Sequence, residues 1–128
     1  MKILHVIPNM QSGGAEKMLV DIVEEMQLKK HHCEVAILTK TNNFFGEQLE
    51  KLNIPIYYGE NSKVYTLKNI YFLMKIIKKN DYDVIHTHLF GPQIFTPIAL
   101  KLAFKKIPLI TTEHSTHNRR RENRFFFY

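Results

Sequence analysis

The sequence predicts an α/β fold, a doubly wound parallel sheet covered by helices on both faces. Three observations carry this. Short apolar runs at residues 3–7, 35–39, 54–58, 83–88 and 107–112 alternate with segments of helical periodicity. The runs are largely continuous rather than alternating, the pattern of strands buried on both faces, as parallel strands are. The chain has 128 residues, 45% of them hydrophobic, enough for one core and too short for two.

Each element has its own warrant. Residues 3–7 are apolar except for His5 and run into Pro8 and a polar loop containing Gly13-Gly14. From Ala15 the spacing becomes helical: Met18, Leu19, Ile22, Val23 and Met26 form one stripe, with Glu16, Lys17, Asp21, Glu24 and Glu25 largely off it. Residues 35–39 are the second strand, and Leu49 and Leu52 mark a short helix after Phe44-Phe45-Gly46. The third strand, 54–58, contains Pro55 and so belongs near a sheet edge. Leu67, Ile70, Tyr71, Met74 and Ile77, with Ile76 beside them, make the next helical stripe, closed by the cationic turn Lys78-Lys79-Asn80 that suits the helix dipole. Residues 83–88 are the fourth strand. Residues 94–104 form an unusually apolar helix in which Pro97 is expected within the first turn, where its missing donor costs least. The fifth strand, 107–112, starts around Pro108. The tail from Arg119 to Phe125-Phe126-Phe127-Tyr128 reads as the opening of another helix, so the chain is expected to be a piece of a longer protein.

Alternation of this kind implies right-handed crossovers and a spatial strand order 3-2-1-4-5, a Rossmann-like arrangement. The order reverses between the first and fourth strands, which aims the crevice at the loops after Ile7 and His88. A formal charge of +6 suggests an anionic partner. The lysines are spread over the helical segments, whereas four arginines cluster in the tail among phenylalanines, a composition suited to an anionic membrane surface; nucleic acid is not expected. The lone Cys33 excludes an internal disulfide framework and reads as a buried strand residue. The apolar run at the amino end is too short for a secretory signal or a membrane span, which points to a cytoplasmic compartment.

The chemistry should lie in the loops at the crevice. Gly13-Gly14 stands between a buried strand and a helix, where backbone can approach a ligand and free N–H groups meet a negative group; a tight turn is the plainer alternative. Residues 11–16 read Gln-Ser-Gly-Gly-Ala-Glu, which lacks both the three-glycine dinucleotide fingerprint and the Lys-Ser/Thr of a nucleotide loop. Glu16 caps the helix or meets a sugar hydroxyl. His86 and His88 point to one face of the fourth strand; His88 is expected to be the more exposed and the catalytic candidate, with His86 in packing. The fifth strand ends in Thr-Thr-Glu-His-Ser-Thr-His, with Glu113 and His114 as binding candidates. His88, Glu113 and His114 match no metal-site spacing, so no metal is expected. With no serine elbow and no plausible cysteine nucleophile, a hydrogen-bonding substrate pocket drawing on Asn9, Ser12, Thr87, Glu113 and Ser115 fits better than covalent catalysis.

Lys2-Ile3-Leu4-His5-Val6-Ile7, Gly13-Gly14-Ala15-Glu16, Tyr82-Asp83-Val84-Ile85-His86-Thr87-His88 and Ile110-Thr111-Thr112-Glu113-His114, in that order, resemble the amino-terminal domain of the GT-B glycosyltransferases of family 4. The resemblance runs over the whole chain. It implies a retaining hexosyltransferase of two Rossmann-like domains, many of whose relatives build capsule, exopolysaccharide or lipopolysaccharide. Residues 1–128 would be a partial acceptor-side domain, inactive alone. The donor-binding domain, with its basic pair and E-x7-E carboxylates, would lie outside it. It further implies a nucleotide-sugar as co-substrate with no other cofactor, and a glycan or lipid-linked acceptor. Peripheral contact with the inner face of a bacterial cytoplasmic membrane also follows from the resemblance. Gly13 and Gly14 would then approach the donor diphosphate and acceptor, His88 would touch the transferred sugar, and His114 would match the histidine after the fifth strand, with Glu113 as its neighbour. Two alternatives keep the architecture: a sugar-nucleotide 2-epimerase and a non-catalytic binding module.

Overall fold

The computed structural model describes residues 1–8, 14–39, 46–61, 66–88, 90–113 and 124–127. Five parallel strands form the sheet: β1 (Lys2–Ile7), β2 (His32–Thr39), β3 (Ile56–Asn61), β4 (Val84–His88) and β5 (Leu109–Glu113). Between them run the helices α1 (Gly14–Leu28), α2 (Gly46–Glu50), α3 (Leu67–Lys79) and α4 (Phe90–Leu102). The spatial order is β3-β2-β1-β4-β5, as the alternation predicts, and it continues into a sixth strand, β6 (Arg124–Phe127), antiparallel to β5.

The pleat divides the core in two. Ile3, Ile7, Cys33, Val35 and Ile37 face α1, against Leu19, Val20 and Val23, with Leu49 of α2 closing that side. Leu4, Val6, Ala36, Leu38, Ile85 and Leu109 face α3 and α4, against Ile70, Leu73, Ile77, Phe95, Ala99 and Leu100. Burying one such aliphatic side chain is worth about 1.5–3 kcal/mol, so each layer contributes heavily to holding the sheet.

Below the sheet, at the strands' amino ends, Glu34 is a buried carboxylate. Its Oε1 accepts from Tyr82 Oη at 2.6 Å and Tyr57 Oη at 3.0 Å, its Oε2 lies 2.9 Å from His32 Nε2, and Lys2 Nζ stands 3.7 Å away. Burial alone would raise its pKa, but the hydrogen bonds from Tyr82, His32 and Tyr57 and the Lys2 charge overcome that and hold it below the usual carboxylate range. Helix α3 is closed on both ends. Thr66 Oγ1 accepts from Lys68 N at its start, and at its finish Lys105 Nζ reaches the carbonyls of Ile77 at 2.9 Å and Asn80 at 2.5 Å. A cation there meets the negative end of the helix dipole.

Several expectations shift. The tail is a strand over Arg124–Phe127 rather than the opening of a helix, because Phe125, Phe126 and Phe127 pair with Thr112, Thr111 and Ile110. Helix α4 starts earlier than expected, at Phe90, which leaves Pro92 near its start and Pro97 in its middle, where the Gln93 carbonyl loses its usual N–H partner. The buried face of α3 is Ile70, Leu73, Ile76 and Ile77, while Leu67 and Tyr71 are exposed. On α1, Met18 is exposed and Val20 takes its place in the core. Strand β3 begins after Pro55 and carries a register shift against β2, with Tyr58 opposite Ile37 and Asn61 opposite Thr39. Gly59 lies in that irregularity, and a Cβ there would sit 2.1 Å from the Leu38 carbonyl oxygen. Among the described residues no helix is long and apolar enough to cross a membrane.

Candidate functional site

The topological reversal lies between β1 and β4, where His5 pairs in register with His86. His5 lies in the odd-numbered row of β1 with Ile3 and Ile7, on the α1 face of the sheet. His86 and His88 stand beside it on β4, and the three rings form a cluster. Ring centroids are 4.0 Å apart for His86 and His88, 5.4 Å for His5 and His86, and 5.5 Å for His5 and His88. His5 Nδ1 lies 3.3 Å from His88 Nε2. His86 Nε2 is hydrogen-bonded to Thr112 Oγ1, the inward residue of the next strand.

All three histidines are buried, and His88, at 1% exposure, is more enclosed than His86 at 8%, the reverse of the expectation. The reason is geometric: His88 is the last residue of a central strand and stays in the layer between sheet and helix rather than rising above it. Burial, helped by the charge His86 would carry, pushes His5 down to about 3, so His5 is neutral at physiological pH. The site therefore offers an uncharged imidazole at His5, which can donate or accept a hydrogen bond, and no fixed positive charge from that ring.

One ligand nitrogen from each of His5, His86 and His88 lies within 4.8 Å of the others, a set able to approach a metal ion. Nitrogens bound to a tetrahedral zinc at about 2.0–2.1 Å would stand roughly 3.3–3.4 Å apart. His5 and His88 already meet that spacing, but His86 is committed to Thr112.

The remaining predicted residues divide clearly. Gly14 is the first residue of α1, the helix that follows β1 in the chain. Glu16 lies in the first turn and is buried; burial raises its pKa, against a backbone hydrogen bond that lowers it. Glu113 is the last residue of β5, opposite Arg124 of β6 in register. Gly13, His114, Asn9, Ser12 and Ser115 lie outside the described residues. Thr87 does not join the histidines: strand alternation turns it to the other face, where its hydroxyl lies 3.0 Å from Thr111 Oγ1. Sequence reasoning missed His5 and Thr112. The signal was present, since a polar residue inside an apolar central strand, registered against a histidine of the neighbouring strand, marks a shared layer.

Glycosyltransferase Family 4 matches residues 12–128 of the chain. The GalNAc-α-(1→4)-GalNAc-α-(1→3)-diNAcBac-PP-undecaprenol α-1,4-N-acetyl-D-galactosaminyltransferase of Campylobacter jejuni is 30% identical over 121 residues, covering 90% of this chain and 33% of its own. Among solved structures, Anabaena HepE in complex with UDP and glucose superposes with a TM-score of 0.69 at 22% identity, covering 94% of this chain and 31% of that one. MurG of Acinetobacter baumannii gives 0.67 at 17%, covering 91% and 36%. The two structures share the fold; the chain spans about a third of the length of each relative.

Proposed function

From the premise that this chain belongs to glycosyltransferase family 4, we propose that it forms the acceptor-side part of a cleft in which a sugar moves from a nucleotide-sugar to a glycan or lipid-linked acceptor. The observation that carries the reading, beyond membership, is the histidine layer at the reversal of strand order, the place where an open α/β sheet takes its ligand. The Campylobacter relative acts on an undecaprenol-linked acceptor, and the HepE structure holds UDP and glucose; both support a nucleotide-sugar donor and a lipid-linked acceptor here.

In this reading residues 1–128 are part of the first of two domains, and the second supplies most of the donor contacts. Transfer places growing negative charge on the leaving phosphate. The amino end of α1, beginning at Gly14, is positive by virtue of its unpaired N–H groups and meets that charge without a metal, so the nucleotide-sugar is a co-substrate and no cofactor is required. Glu16, in the first turn of α1, hydrogen-bonds a sugar hydroxyl, and Glu113 and His114 are further binding residues of the same cleft. His88 is the catalytic candidate, hydrogen-bonding to the transferred sugar. Closing the two halves excludes water, whose attack would waste the donor.

The configuration of the sugar is retained, the pathway is assembly of a cell-surface polysaccharide, and the protein works in the cytoplasm against the inner face of the membrane as a peripheral protein. The test is to incubate the full-length protein with UDP-, GDP- and ADP-sugars and a lipid-linked or free glycan, and to read the product's anomeric configuration by NMR. A retained product supports the reading. An inverted product removes the retaining mechanism. A 2-epimerised nucleotide-sugar, or no turnover of any donor, replaces the reading with the epimerase or the binding module.

A further inference from the structure

We propose that the groove between the edge strand β3 and helix α3 binds an acidic oligosaccharide, a glycan bearing negatively charged groups along its chain, as an outer subsite for the acceptor. The role as an acceptor subsite rests on the proposed function; the preference for an acidic glycan does not. β3 ends the sheet, and against α3 it leaves a groove of about 650 Å³, within the range of ligand pockets.

The walls of the groove are aromatic. Tyr57 and Phe72 are half-buried on its core side, Tyr58 joins them from the other side of the pleat, and Tyr71 stands exposed. The hydroxyls of Tyr57 and Tyr58 donate to Glu34 and Glu50, each at 3.0 Å, which fixes both rings from their tips. Rings held in this way present flat apolar surface at little entropic cost and suit the C–H faces of sugars.

The cations lie on one stripe of α3. Lys68, Lys75 and Lys79, spaced i, i+7 and i+11, all line the groove and span roughly 16 Å of helix. Lys75 Nζ lies 5.4 Å from the centroid of the Tyr71 ring. Among the described residues none of the three lysines forms an ion pair and no carboxylate lines the groove. The helix itself gains nothing from this arrangement. Lys68 sits in the first turn, where the positive end of the dipole disfavours a cation and no acidic residue offsets it, and Lys75 and Lys79 are a like-charged i, i+4 pair. Three unpaired positive charges above aromatic walls are complementary to a chain of sugar rings with spaced negative groups.

The direction of the chain links the groove to the crevice. α3 runs back from the carboxyl end of β3 to the amino end of β4, so its Lys68 end lies on the side where the crevice opens, and β3 stands two strand spacings, roughly 10 Å, from β1. A glycan whose end reaches the crevice can lay its next sugars along α3. A bilayer fits the groove less well, because its apolar floor, Phe72 and Ile76, is recessed beneath the exposed lysines.

The test titrates the full-length protein calorimetrically with an oligogalacturonate and with a neutral malto-oligosaccharide of the same length. The acidic probe should bind about tenfold more tightly than the neutral one, and its affinity should fall as salt rises. Lys68→Gln/Lys75→Gln/Lys79→Gln should lower that affinity about tenfold and Tyr71→Ala about threefold, all with an unchanged urea midpoint because these side chains are exposed. Lys78→Gln, which removes an exposed lysine of the same helix that does not line the groove, should stay within about twofold. In transfer to an acidic acceptor the triple variant should raise KM for the acceptor about tenfold and leave kcat within about twofold. Equal binding of the two probes, or a triple variant that binds the acidic probe as the wild type does, overturns the proposal. Binding of phosphatidylglycerol vesicles or of polyglutamate through these lysines, with none of oligogalacturonate, overturns it in favour of a lipid or a peptide partner. Should the acidic probe bind through the stripe while no nucleotide-sugar is turned over, the proposed function fails and the glycan site stands.

Discussion

Tyr82→Phe removes one oxygen from the hydrogen-bonded cluster around Glu34, and its cost follows from what is left. The Tyr82 hydroxyl donates to Glu34 Oε1 at 2.6 Å in a buried setting, a short bond to a charged acceptor, of the kind worth about 1.5–3 kcal/mol. The carboxylate keeps Tyr57 on the same oxygen and His32 on the other, with Lys2 at 3.7 Å, so no charge is stranded and the lower half of that range applies, about 1.5–2 kcal/mol. The sign with pH is set by Glu34. Its folded pKa lies below the unfolded value, so its contribution is complete above the unfolded carboxylate pKa and is lost as pH falls through the folded one. Tyr82→Phe weakens the largest of the interactions that depress it, so the gap between wild type and variant should be constant from about pH 5.5 to 8 and shrink below about pH 4.5. Urea unfolding at a series of pH values measures this, with Glu34→Gln and the double variant completing a cycle. A cost under about 0.5 kcal/mol at pH 7, or a gap that widens in acid, would refute the reasoning.

Two further expectations concern the sheet. His5 is pushed down to about 3 by burial and by His86, while an unfolded histidine titrates near 6.5. Its contribution is therefore fully present above pH 6.5 and is lost as pH falls from 6.5 toward 3, at a limiting slope of about 1.4 kcal/mol per pH unit. Wild type should lose stability between pH 6.5 and 5, before Glu34 titrates, and His5→Phe should lose measurably less over that window; parallel curves would contradict it. Gly59→Ala should cost about 2 kcal/mol or more, since the added Cβ would fall 2.1 Å from the Leu38 carbonyl oxygen and neither backbone can yield without opening the β2 and β3 pairing. Hydrogen exchange of the β3 amides should accelerate in the same variant, and unchanged protection would count against it.

Much of this architecture was legible because its signals are local. Continuous apolar runs bounded by Pro8, Pro55 and Pro108 identify buried parallel strands, and the order follows from connection rules that need no side-chain detail. The misreadings arose where a non-local partner decides. Arg124–Phe127 is too short to display a period, and its strand state comes from pairing with β5. On α3, the expected stripe ran through Leu67 and Tyr71, which are exposed, and left out Leu73, which packing buries; Ile70, Ile76 and Ile77 are buried and Met74 is partly buried against the same core. Pro97 was expected near a helix start because proline penalises interiors, but Pro92 holds the early position and tertiary contacts carry Pro97. At the site, His86 and His88 were visible as a pair two residues apart. His5, 81 positions upstream of His86, joins them only through the β1 and β4 register.

The central claim is that this chain builds part of a glycosyl-transfer cleft with His88 in contact with the reacting sugar. The most direct measurement is release of nucleoside diphosphate by the full-length protein, with and without a lipid-linked glycan acceptor, for wild type and His88→Ala. Acceptor-dependent release that falls by about 10²-fold in a variant with an unchanged urea midpoint is the predicted result. Equal turnover in the folded His88→Ala protein, or no release from any nucleotide-sugar by the wild type, would contradict it.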